Sequence, residues 1–178
     1  MTTTEGAGWT APAVQRRPEP EILDERAGLE GWLDYHRDTL LMKCAGLTVE
    51  QLRERAVPPS SLSLLGLVRH MAEVERSWFR RRLAGQDLGY LYCSDDNEDG
   101  DFDDVDTADA EADFATYRSE VELARAAAAE LPLDQQFVRP NRPTLDLRWI
   151  YLHMIEEYAR HNGHADLLRE RIDGVTGD

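Results

Sequence analysis

Cysteine is scarce in this chain of 178 residues. Cys44 and Cys93 stand apart, without a CxxC pair, which excludes a disulfide scaffold and a zinc ribbon. Two reduced, partly buried thiols are expected instead. Long apolar runs are also lacking, and none of them is long enough to span a bilayer. The N-terminal stretch "MTTTEGAGWTAPAVQRRPEP" has no basic start followed by an apolar core, the pattern of a secretory signal. A cytoplasmic protein is expected. Positive charge is in deficit, with a formal net charge of −15 at pH 7. A chain without a basic face has little to hold phosphates, so neither nucleic acid nor an anionic membrane surface is an expected partner. Lysine is nearly absent; Lys43 is the only one, and the bias toward arginine carries no mechanism.

What is present reads as helix. Apolar content of 42% in a chain of this length suits one domain with a full core. Residues 1–18 are small, polar and Pro-containing, and are read as a flexible tail. From Pro20 the pattern turns helical, with Ile22, Leu23, Leu29, Trp32, Leu33, Leu40 and Leu41 at helical spacing. A first long helix is expected over about 20–44, stopping at Gly46. Thr48 and Gln51 form a capping box for a short helix after it.

The breaker "VPPSS" precedes a second long helix, capped by Ser60 or Ser61 and running to about Leu83. Its stripe is Leu64, Leu67, Val68, Met71, Val74, Glu75 and Trp78, apolar except for Glu75. A third helix is expected over about 108–131, with Phe114, Tyr117, Val121, Ala124, Ala128 and Leu131 on its core face. A fourth starts after the breakers of "RPNRPT", with Thr144 as cap, and ends at Gly174. No stretch reads convincingly as a strand, and no internal repeat is found. The connection over 86–108 is far longer than an antiparallel hairpin needs. It suits second and third helices that run parallel in a bundle. The domain is therefore expected over 19–174, with a short C-terminal tail over 175–178.

The fourth helix carries the chemistry. At about 100° per residue, Ile150, Met154, Leu168 and Ile172 fall on one side within about 40° of each other. Glu157, His161, His164 and His153 fall among them. An unpaired carboxylate on such a face costs several kcal/mol, so something must offset it. A metal ion does so. Glu157 and His161, at i and i+4, converge, and their oxygen and nitrogen donors suit Zn²⁺ and other first-row ions, Ni²⁺ included. A third ligand must come from another helix. Of His36 and His70, His70 is preferred, because Ser63, Gly66 and Ser77 in its row leave room for a cavity. Three ligands leave one position open, as in catalytic sites. The bland alternative is a solvated Glu–His pair or a hydrogen-bonded polar core without any ion.

Two segments now carry a resemblance. "SLSLLGLVRHMAEVERSWF" (61–79) and "LRWIYLHMIEEYARHNGHADLLRERIDG" (147–174) resemble the DinB/YfiT-like superfamily. They are most similar to its mycothiol-dependent maleylpyruvate isomerase branch. The resemblance covers nearly all of 25–174. It implies an all-α, four-helix bundle of up-down-down-up topology with a long crossover between helices 2 and 3, and often a homodimer. It implies a divalent metal at one end of the bundle, held by His70, Glu157 and His161. His164 is then a substrate-facing or supporting group beside the ligands, and so is His153.

The resemblance further implies a thiol S-transferase or isomerase that uses a small thiol such as mycothiol or bacillithiol toward an electrophilic substrate. Tyr158, Arg160 and Arg171 flank the site face, and an arginine there can bind a carboxylate on substrate or cosubstrate. The plainer reading pairs these arginines with surface acids. The isomerase carries a further C-terminal domain, whereas this sequence ends at Asp178, so maleylpyruvate isomerisation is not the expected reaction. A non-catalytic metal- or ligand-binding stress-response bundle is the alternative.

One motif is read as a decoy. "DDNEDGDFDDVD" (95–106) matches a calcium loop at Asp95, Asn97, Asp99, Gly100 and Phe102, but ends in Asp106 where glutamate is usual. A solvated acidic loop is expected there.

Overall fold

The computed structural model describes residues 8–21, 24–138 and 142–177. Ile22 and Leu23, expected in the first helix, lie outside the described residues. Among the described residues the chain is mostly helical, with one small antiparallel strand pair. No described helix is long and apolar enough to cross a membrane.

Helix α1 spans Glu25–Cys44, with the side chain of Asp24 accepting from Ala27 N at its start. It begins later than Pro20. The short α2, Val49–Arg53, opens on the expected Thr48–Gln51 capping box. Helix α3, Leu64–Glu75, is capped by Ser63 rather than Ser60 or Ser61, since Ser63 Oγ accepts from Gly66 N at 3.0 Å. Ser60 Oγ accepts from Leu62 N instead, inside the preceding turn. The helix continues as a π-helical stretch, Arg76–Leu83, which nothing in the sequence announced.

The acidic connection is not plain loop. It holds the four-residue helix α4, Gly100–Asp103, and a 3₁₀ turn, Asp104–Thr107. Helix α5 spans Ala110–Ala128, with Asp109 as its cap. Strands β1, Gln136–Phe137, and β2, Leu145–Asp146, pair next, a hairpin not expected from the sequence. Helix α6, Leu147–Asp173, starts at Asp146 rather than Thr144, because β2 already occupies Leu145–Asp146. It ends as expected at Gly174, whose φ of 79° is the left-handed value that glycine takes without strain.

Helix α1 packs chiefly against α6, and α3 against α5. The expected stripes face inward, except that Trp32 of α1 is exposed. Leu64, Leu67, Val68 and Met71 are fully buried, as are Ile150 and Met154, with Phe114, Tyr117 and Ala124 opposite.

Residues 9–17, expected within a flexible tail, lie against these helices. Trp9 meets Phe114 edge to face, Ala11 is buried and exchanges backbone hydrogen bonds with Gly46 and Leu47, and Arg17 pairs with Asp38. Burying Trp9 and Ala11 offsets the entropy of ordering the segment.

Candidate metal centre

Helix α3 brings His70, and α6 brings Glu157 and His161, to one place. One ligand atom from each lies within 4.8 Å of the others. The helical repeat explains the α6 pair, since positions i and i+4 stack on one face. His161 Nε2 lies 3.7 Å from Glu157 Oε2, and the rings of His70 and His161 are 4.8 Å apart. All three residues are half-buried, at the edge of the apolar stripe rather than deep within it.

The surroundings hold the donors in place. His70 Nδ1 lies 2.7 Å from Asp101 Oδ2, leaving Nε2 for the cluster. Burial, then the facing rings of His70 and His164, push the pKa of His161 down to about 4. Its imidazole therefore stays neutral through the physiological range, with a lone pair to offer. Two imidazoles and one carboxylate, on two helices, fit zinc or another first-row divalent ion.

A second group, His153, Glu156 and Glu157, also converges. It is the poorer candidate: Glu156 is exposed and already engaged by Arg160. His153 instead supports the first group. Its Nε2 lies 3.3 Å from Glu157 Oε1, and its ring stacks on Trp149 and meets the face of Trp78. Trp149 and His153 are four apart on α6, whereas Trp78 lies on another helical stretch, so its side of the clamp is not legible in the sequence.

The other expected site residues fall in different places. His164 adjoins the cluster, with Nδ1 at 3.4 Å from His161 Nδ1. Arg160 projects into solvent and bonds Glu156, the plainer of its two readings. Tyr158 does not reach the cluster. It is fully buried, and its hydroxyl donates to Glu75 at 2.8 Å and meets Tyr117 at 3.0 Å. One residue after Glu157, it points about 100° away around the helix, which carries it into the core. Arg171 is exposed near the end of α6.

The calcium-loop match does not assemble. Among the described residues, no three acidic groups of 95–106 converge as ligands. Asp106 pairs with Arg55, and Asn97 bonds Asp104. Phe102 packs on His70, with ring centroids 5.2 Å apart.

A search of curated proteins gave no match. The sequence matches the family model of the mycothiol-S-transferases over residues 28–174. That span runs from the first turn of α1 to the left-handed glycine that closes α6, and takes in His70, Glu157 and His161. A match over so much of the fold means that this chain belongs to the mycothiol-S-transferase family.

Proposed function

We propose that this protein is a metal-dependent S-transferase that joins a mycothiol-type thiol to an electrophilic small molecule. The observation that carries the reading is the convergence of His70, Glu157 and His161 in a chain of this family. These three would hold a divalent ion, zinc first and nickel second. Such an ion lowers the pKa of a thiol, which is the activation that S-transfer needs. The chain's own groups do the rest. His153 keeps Glu157 in place. His164, beside His161, faces the reacting partners and is the candidate catalytic group. Arg160, on the solvent side, is free to exchange Glu156 for an anionic group on an incoming molecule.

We read the four long helical stretches as an up-down-down-up bundle, with the segment 84–109 as the crossover between parallel helices. A cytoplasmic homodimer suits the family, with neither nucleic acid nor membrane as partner. The second reading, a non-catalytic binding bundle, keeps the same residues and lacks turnover.

Metal analysis and a thiol screen test the proposal. Wild type should take up Zn²⁺ or Ni²⁺ at one equivalent, and His161→Ala should lose it. With metal, it should consume mycothiol in the presence of an electrophile. A protein that binds no divalent ion would sink the metal reading; binding without turnover across mycothiol, bacillithiol and glutathione would favour the non-catalytic one.

A further inference from the structure

Asp101 is an oddity in the acidic segment. Most of its neighbours in 95–106 are solvated, whereas Asp101 is 3% exposed. A buried carboxylate is costly unless well partnered. Arg69, adjacent to His70 on α3, bonds this segment. Its guanidinium bypasses the Asp101 carboxylate. Arg69 Nη1 bonds Asp113 at 3.1 Å, while Nε and Nη2 donate to the backbone carbonyls of Asp101 at 2.9 Å and Gly100 at 3.0 Å. Arg69 thus fixes the backbone of α4, and the carboxylate is left to the His70 ring.

Packing fixes the same segment from the other side. Phe102 lies on the His70 ring and fills the space beside Gly66, where a Cβ would come within 2.6 Å of Phe102 Cδ1. Asp101 Oδ1 accepts from Phe102 N at 3.0 Å, which sets the carboxylate's orientation. Its Oδ2 then meets His70 Nδ1 at 2.7 Å.

We propose that Asp101 is the positioning residue of the cluster: its carboxylate accepts the Nδ1–H of His70, selects that tautomer and turns Nε2 toward Glu157 and His161. The inference rests on the metal reading above and extends it to a segment that the sequence offers only as solvated acid. A carboxylate behind a ligating imidazole typically raises metal affinity 10–100-fold. The acidic connection is thereby part of the site: whatever unseats α4 releases His70.

The test has two readouts on the full chain. In metal-free protein with ¹⁵N-labelled histidine, long-range ¹H–¹⁵N spectra should show His70 protonated at Nδ1 and bare at Nε2. Wild-type His70 protonated at Nε2 overturns the proposal without any variant. Titration with Co²⁺ and Zn²⁺ should then show Kd raised about 10–100-fold in Asp101→Asn, with partial recovery in Asp101→Glu and an unchanged melting temperature of the metal-free proteins. Equal Kd in wild type and Asp101→Asn, while His161→Ala loses binding, overturns the inference and leaves the metal site standing. If wild type binds neither ion, the metal reading fails. The tautomer then decides alone: Nδ1–H in wild type, lost in Asp101→Asn, upholds the orienting role, and an unchanged tautomer ends it.

Discussion

Cys44 and Cys93 are the same side chain in opposite surroundings. Both are free, but Cys44 is fully buried at the end of α1, and burial pushes its thiol up to about 12. Cys93 is partly exposed; burial and then the nearby Asp101 raise it more modestly. Alkylation of native protein at pH 8 should therefore label Cys93 and spare Cys44, read by mass spectrometry. Labelling of both without denaturant would contradict the buried position. The Cys44 thiol ionises near 9 when unfolded and near 12 when folded. Its contribution to stability is thus complete below pH 9 and is lost as pH climbs toward 12. Cys44→Ala should flatten the fall of unfolding free energy over that window, measured by urea titration at several pH values.

At this scale the sequence was informative wherever a residue acts through its own helix. Glu157 and His161 meet because they are four apart, and spacing shows that. Tyr158, by contrast, is expected at the site only because it adjoins Glu157 in the chain. One step along a helix turns a side chain by about 100°, and that turn delivers its hydroxyl to Glu75.

Elements were legible where their ends are chemical and misplaced where several polar residues compete. The Thr48–Gln51 box and Gly174 are single solutions to a capping problem, and both stand. The sequence points to Thr144 as the start of α6, but the cap is Asp146. Asp146 prevails because the β1–β2 pairing extends the chain up to it, and its Oδ1 accepts from Trp149 N at 2.8 Å. Asp146→Ala should cost about 1 kcal/mol of stability by chemical denaturation, and Thr144→Ala much less. The reverse ranking would return the cap to Thr144. The π-helical stretch Arg76–Leu83 had no sequence signature at all. It packs Phe79 against Tyr151 and Trp78 against His153.

At the scale of the molecule, one buried group joins the four long helical stretches. Glu75, at the end of α3, is fully buried. It takes a two-pronged bond from Arg37 of α1, at 2.8 and 2.7 Å, and a third from Tyr158 of α6. Tyr117 of α5 closes the set through the Tyr158 hydroxyl. Burial and then Glu75 hold the Tyr158 hydroxyl protonated well past its ordinary range. Removing one partner of such a pair strands a charge in the core. Arg37→Ala should therefore destabilise the protein by about 3–5 kcal/mol, and Tyr158→Phe by about 1–3 kcal/mol. Both are read from urea midpoints at constant slope. A near-neutral Arg37→Ala would mean that Glu75 finds water or takes up a proton.

The helical class, most of the core faces of the long helices and the ionisable residues among the apolar ones on α6 were legible in the sequence alone. These follow from a period of 3.6 residues, which is local and needs no partner. The family resemblance read from 61–79 and 147–174 fell within the span of the family match. His70 was reached from its small neighbours and the family resemblance, and packing brings it to Glu157 and His161; packing alone sets Asp101 behind His70, Trp78 against His153 and Arg37 beneath Glu75. Each of these pairings across helices spans more than thirty residues. Over such separations, contact is set by how whole faces pack and not by spacing along the chain. Asp101 makes the point most sharply. In the sequence it is one of eight acidic residues between Asp95 and Asp106; only the docking of α4 onto α3 singles it out.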